Sequence, residues 1–299
     1  MTEINPTTLQ QHAATKRRAV RTLRRALREV RPVLEMADAR LLTYLDGVAQ
    51  SPRLHNLYEV AGAAVFCLKA ARYVWRPERM QRFVRFYEVL PFDGVQGQTS
   101  YRMTPVQVFV VANLFGLYEV RPDGQEVRLH RDAYLFVPRK FAKTTLAAAV
   151  AVYFLLFGDY NSEAYVIANS YEQAKVCFNM QRSIMQALDP DQQTFRINRE
   201  TIFFQSKSST GYRASKSRCL AANPKNLDGL FAELVIRDEG AQAHDTATKS
   251  GAELKGVLVT SEGPRLQPLN IDISTASDVV DGPFAREIEG CRQILLQAI

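Results

Sequence analysis

Residues 16–31, KRRAVRTLRRALREVR, carry the clearest periodicity at the front of the chain. Val20, Leu23, Leu27 and Val30 recur at intervals of three and four, with Arg17, Arg21, Arg24, Arg28 and Arg31 on the other side. That spacing predicts an amphipathic helix. Residues 56–74 predict a second helix and residues 77–90 a third, whose leading proline suits a first turn. PFDGVQG at 91–97 has turn chemistry and breaks the pattern. From about residue 100 short β-like runs alternate with longer helical ones. Strands are expected at 133–137, 164–168, 201–204, 219–222, 232–237 and 269–274, and helices at 143–157, 171–188 and 283–297. Strand and helix in alternation predict an α/β fold with a mostly parallel sheet covered on both faces. The expected organisation is a helical N-terminal region over 1–90, with its basic arm at 16–31, followed by an α/β domain over 91–299.

Composition changes this picture little, but charge placement does. The 299 residues hold 38 Lys+Arg and 31 Asp+Glu, a net +7. The 16–31 segment contains eight basic residues and one acid, Glu29, so the remainder is balanced. The chain reads as a neutral body with a basic arm. Membrane insertion is not expected, because the longest clean apolar run, 146–157, is twelve residues against the roughly 20 a span needs. Charge without a following apolar segment is no signal peptide. Cys67, Cys177, Cys219 and Cys291 are far apart, which suits reduced thiols rather than a zinc cluster or disulfide framework.

The candidate chemistry starts at the strand AYLFV, which runs through PRKFAKTT into an apolar helix. Backbone N–H groups at a helix start, with the helix dipole, attract anions. A lysine there reaches the β/γ-phosphates and the next hydroxyl ligates Mg2+, roles that fit Lys143 and Thr144. Val137 and Ala142 replace both glycines of the G-x-x-x-x-G-K-[ST] pattern. Taken alone, the same residues also describe a surface lysine at a helix start. About 90 residues later LFAELVIRDEG ends an apolar strand in Asp238–Glu239. The first acid of such a pair holds Mg2+ and the second can deprotonate a water, if the strand end faces the phosphate loop; alone, the pair also describes a solvated acidic turn. A third strand, LNIDISTAS at 269–277, ends in Ser274, Thr275 and Ala276; the two hydroxyls suit a γ-phosphate sensor, while alone they also describe an ordinary strand end.

Together these residues resemble the ATPase domain of the large terminase subunit of tailed bacteriophages, closest to the branch of HK97-like phages, over about residues 80–299. TPVQVFVVANLFG (104–116) matches the segment with a glutamine that contacts adenine, here Gln107. VPRKFAKTTLAAA (137–149) matches the R-K-x-G-K-[ST] loop, with Ala142 where glycine is usual. NLDGLFAELVIRDEGA (226–241) and GPRLQPLNIDISTAS (263–277) match the run into the acid pair and the coupling motif. The resemblance implies a P-loop NTPase fold and an ATP-hydrolysing motor that moves double-stranded DNA into a procapsid. It implies Glu239, Arg139 and Lys143 as catalytic, with Lys140 as the alternative arginine-like group. Ala142, Lys143, Thr144 and Thr145 would cradle ATP, Thr144 and Asp238 would hold Mg2+, and residues 274–276 would couple hydrolysis to movement.

The resemblance further implies portal protein and small terminase subunit as partners, a five-membered homo-oligomeric ring when docked, with a monomer in isolation left open, and action in the host cell cytoplasm. The family's RNase H-like nuclease domain is not expected in this chain, which ends at Ile299. Two other functions remain open on the residues: another P-loop DNA translocase or helicase-like ATPase, and a nucleotide-binding assembly module with weak turnover. For the arm, Arg17, Arg21, Arg24 and Arg28 either contact nucleic acid or a partner, or form the solvated face of a packed helix. Aromatic residues do not interleave them, so base stacking is not suggested.

Overall fold

The computed structural model describes residues 6–92, 101–208, 211–221, 230–240, 256, 262–263, 265–275 and 282–299. Residues 93–97 of the expected turn, residue 222, residues 226–229 and Ala276 lie outside them. The chain divides into two compact units. Unit 1 comprises Met1–Arg85, Met103–His130 and Glu289–Ile299; unit 2 comprises Phe86–Arg102 and Arg131–Ile288. Among the described residues no helix is long and apolar enough to cross a membrane.

In unit 1, helices α1 (Pro6–Leu34), α2 (Ala39–Gln50), α3 (Leu57–Arg72) and α5 (Pro105–Phe115) enclose an apolar centre, and α4 (Pro77–Val89) begins there. α1 packs chiefly on α3, and α2 on α5. Leu23, Leu27 and Val30 are buried as their spacing requires, joined by Ala19, Ala26 and Leu34, while Val20 is half-buried. Phe66 meets Trp75 and Phe109 edge-on, and Phe83 stacks on Phe115. Such pairs add ~1 kcal/mol each beyond burial. Three short strands, β1 (Val74–Trp75), β2 (Leu117–Val120) and β3 (Glu126–Arg128), form an antiparallel sheet. The sequence pattern did not reveal it, because strands of two to four residues show no alternation. A Cβ at Gly116 would overlap the Trp75 ring, so only glycine admits this approach. Beyond β3, Lys69 Nζ and His130 Nε2 face each other at 3.5 Å. Burial lowers the Lys69 pKa. Burial, then the Lys69 charge, lowers that of His130 to about 4.

Unit 2 is built on a seven-stranded sheet in the described residues. Its strands are β4 (Asp132–Phe136), β5 (Glu163–Ala168), β6 (Phe195–Ile197), β7 (Thr201–Ser208), β8 (Gly211–Ala221), β9 (Leu234–Asp238) and β10 (Leu269–Ser274), in the order β4-β10-β9-β5-β8-β7-β6. The first five are parallel and the last two join antiparallel. Helices α6 (Lys143–Phe157) and α7 (Tyr171–Leu188) have the expected limits. Both pack against β5 and β8, and Ser217 Oγ on β8 donates to Gln181 Oε1 on α7 at 2.7 Å. α6 is apolar around its circumference and buried from Leu146 to Val152, the pattern of a central helix. The other face carries Tyr165, Ile167 and Val235 beneath Ala232 and Leu230. At its β4 edge Tyr134 and Phe136 pack on Phe284, at the start of helix α8 (Pro283–Gln297).

One expectation needs correction. Strands expected at 201–204 and 219–222 are a long antiparallel hairpin, Thr201–Ser208 with Gly211–Ala221. The intervening QSKSSTGYRASKSR holds few apolar residues, so backbone pairing forms these strands without a period-two pattern to announce them. Arg237 is a charged residue inside the apolar strand β9. It is buried and makes a bidentate pair with Asp272 on β10, the second contact being Nη2 to Oδ2 at 2.7 Å. The two residues are register partners on one face. Burial alone would lower the Arg237 pKa; the Asp272 charge and hydrogen bonds outweigh it and raise the value.

Removing one member of a buried pair strands the other charge. Asp272→Ala is therefore expected to cost roughly 3–5 kcal/mol in urea unfolding, while the apolar double replacement Arg237→Met with Asp272→Leu recovers most of it. A single-variant loss below about 1 kcal/mol would show that the pair does not hold β9 to β10.

Candidate functional site

The carboxyl ends of β4, β10, β9 and β5 meet at one edge of the unit 2 sheet. Ser274 is opposite Phe136, and Asp238 is opposite both Ile273 and Ala168. Three hydrogen bonds continue this alignment beyond the strands. Val137 N donates to Ser274 O at 3.0 Å and Glu239 N to Ile273 O at 2.9 Å. Asn169 Nδ2, just past β5, donates to Glu239 O at 3.3 Å.

β4 leads through residues 137–142 into α6. Ala142 is the N-cap and sits in the left-handed region, φ 62 and ψ 37, with no side-chain cap on the helix. Lys140 has φ 70 and Glu239 φ 57. Three of the five non-glycine residues with positive φ among the described residues thus belong to this site, and such strain concentrates where function over-determines the backbone. The uncapped first turn of α6 leaves its N–H donors for an anion.

Lys143 crosses from α6 to the acids. Its Nζ donates to Asp238 Oδ1 at 2.7 Å and to Glu239 Oε1 at 2.6 Å. Burial lowers the Lys143 pKa, but its hydrogen bonds to Asp238 and Glu239 and the charges of those two carboxylates outweigh it, and the net shift is upward. An ammonium has three donors, so one remains. Glu239 Oε2 is buried and has no hydrogen-bond partner among the described residues. Among the described residues no group of three or more His, Cys, Asp or Glu could hold a metal. A site with one or two carboxylates suits Mg2+ that arrives with substrate phosphates.

The other expected residues fall as follows. Arg139 and Lys140 are exposed in the turn before α6, and Thr144 and Thr145 are half-buried in its first turn. Ser274 and Thr275 are buried at the end of β10. Gln107 belongs to unit 1 and completes a capping box on α5: its Oε1 accepts from Thr104 N at 2.9 Å and Thr104 Oγ1 at 3.1 Å. Two contributors were missed. Asn169 was legible only as a polar residue at the end of a central strand, where ligand sites gather. Asp272 lies 35 residues from Arg237, so no local pattern joins them.

A family model described as terminase large subunit, ATPase domain, matches residues 105–292. The chain belongs to this family. Among solved structures, the large terminase of HK97 bacteriophage is similar, at 23% identity and TM-score 0.54, over 72% of this chain and 42% of that one. The likeness supports the mostly parallel P-loop architecture of the terminase ATPase domain. The chain thus spans about two-fifths of the length of that terminase. The large terminase ATPase domain of Thermus phage P74-26 matches at 21% identity and TM-score 0.36, over 49% of this chain and 60% of that one. No curated protein matches in sequence.

The terminase loop pattern places glycine where this chain has Ala142. A left-handed alanine costs about 1–2 kcal/mol, and glycine's freer unfolded chain offsets about 0.4–1 kcal/mol of any relief. Ala142→Gly is expected to raise stability by up to about 1 kcal/mol in urea titration, and Ala142→Val to lower it. A loss of stability in the glycine variant would contradict the left-handed N-cap.

Proposed function

We propose that this chain is the ATPase motor domain of a packaging terminase, hydrolysing ATP to drive double-stranded DNA into a procapsid. The observation that carries the reading is Lys143 at the uncapped start of α6, in contact with both acids that end β9. In this reading the third N–H of Lys143 and the first-turn amides bind the phosphates, with Thr145 in the same turn. Mg2+, held by the Thr144 hydroxyl and Asp238, would neutralise phosphate charge when bound. Glu239 accepts the proton of the attacking water, and its Oε2, without a hydrogen-bond partner among the described residues, is the acceptor. Arg139, in the exposed turn, meets charge that develops on the equatorial oxygens, with Lys140 as the alternative.

The backbone links from Glu239 to Ile273 and from Val137 to Ser274 support residues 274–275 as the route by which hydrolysis reaches the rest of the chain. Ala276 completes that motif in the sequence. The assembled machine would include the portal protein and small terminase subunit, with five copies of the chain in a ring, in the host cytoplasm.

The test compares wild type with Glu239→Ala. Both should bind ATP with Mg2+ within a few-fold of each other, while the variant loses roughly 10²–10⁴-fold in kcat. Equal turnover would remove Glu239 from the chemistry. Duplex DNA should stimulate the wild-type rate without strand separation; unwinding would instead point to a helicase.

A further inference from the structure

The N-terminal helix carries a surface that the nucleotide site does not use. α1 buries Ala19, Leu23, Ala26, Leu27, Val30 and Leu34. At 100° per residue, Arg17, Arg21, Arg24 and Arg28 fall on a narrow ridge opposite that face. All four are exposed. Neighbouring cations tie the helix into unit 1. Lys16 donates to His55 O at 2.5 Å and Arg18 to Leu296 O at 3.1 Å. Arg24 donates through Nε and Nη2 to Ala49 O at 3.0 and 2.9 Å, and Arg31 is paired with Asp46. Arg17, Arg21 and Arg28 have no hydrogen-bond or ion-pair partner among the described residues. They are unspent charges on a fixed rod.

Solubility alone does not explain the ridge. Like charges four apart, as at Arg17 with Arg21 and Arg24 with Arg28, destabilise a helix by about 0.2–0.5 kcal/mol per pair. α1 contains one acid, Glu29, while the chain outside the arm is balanced. A protein interface of stable kind has an apolar or aromatic centre. No large apolar side chain lies along this ridge between Arg17 and Arg28. What remains complementary is a regular polyanion, bound by charge and read without bases. Eleven residues of helix rise place Arg17 and Arg28 about 16 Å apart, enough to bridge a DNA major groove of roughly 12 Å.

We propose that the α1 ridge of Arg17, Arg21 and Arg28, flanked by Arg24, is a docking surface for the phosphate backbone of duplex DNA. The choice of DNA as occupant rests on the packaging function above.

The experiment measures binding of a fluorescent 30-base-pair duplex by anisotropy, without nucleotide, across salt concentrations. The triple variant Arg17→Ala, Arg21→Ala, Arg28→Ala should weaken binding at least tenfold at low salt. It should also flatten the plot of log affinity against log salt by roughly 2–3, near 0.9 per lost phosphate contact. The triple Arg→Lys variant should keep the wild-type slope, and circular dichroism should show both variants folded. An unchanged slope in the alanine variant would overturn the proposal. So would competition by poly-glutamate as effective, charge for charge, as that by unlabelled duplex, since the surface would then serve an acidic protein. These readings use no ATP, so they fail or hold separately from the Glu239 test.

Discussion

The parallel register of β4, β10, β9 and β5 is the constraint on which the site depends. Because these strands end level, Phe136, Ser274, Ile273, Asp238 and Ala168 lie at one edge. The chemistry-bearing residues then follow within one or two positions. A slip of one residue between β9 and β10 would turn Asp238 to the opposite face. The Arg237–Asp272 pair guards against that slip, because it closes only when the two residues are register partners on one side. Buried ion pairs are weak sources of net stability but can select one arrangement over its neighbours. The pair lies directly before the acids whose position it fixes.

The edge also gathers backbone strain. Lys140, Ala142 and Glu239 each take a conformation that glycine would occupy more cheaply. Two of them are held by something nearby: Ala142 by entry into a helix buried from Leu146 to Val152, and Glu239 by Ile273 O and Asn169 Nδ2. Lys143 is likewise held, by its hydrogen bonds to Asp238 and Glu239.

Much of this was legible in the sequence, for physical reasons that differ by element. Helices α6 and α7 could be bounded to the residue, since one is a long apolar run and the other opens on Ser170 with Gln173 three places on, a capping box. The order loop, acid-ended strand and hydroxyl-ended strand pointed to the meeting of Lys143 with Asp238 and Glu239. What stayed hidden was non-local or conformational. Asp272 answers Arg237 across a strand pair, and the β7–β8 hairpin has little apolar alternation to show. The left-handed backbone at Ala142 is invisible in a residue that seldom adopts it. Thr104–Gln107 is a capping box as readable as that of α7, and it gives Gln107 a structural duty beside the adenine contact the family pattern implies.

The facing of Lys69 and His130 in unit 1 has an outcome of its own. His130 has a folded pKa near 4 against an ordinary 6.5. Between those values the unfolded chain takes up a proton that the folded imidazole refuses. Proton uptake on opening means that stability declines as pH falls through this window, by at most about 1.4 kcal/mol per pH unit from this group. The helical unit therefore has a built-in sensitivity to mild acid, arising first from the burial of an imidazole and then from the Lys69 charge beside it, rather than from the loss of any carboxylate pair.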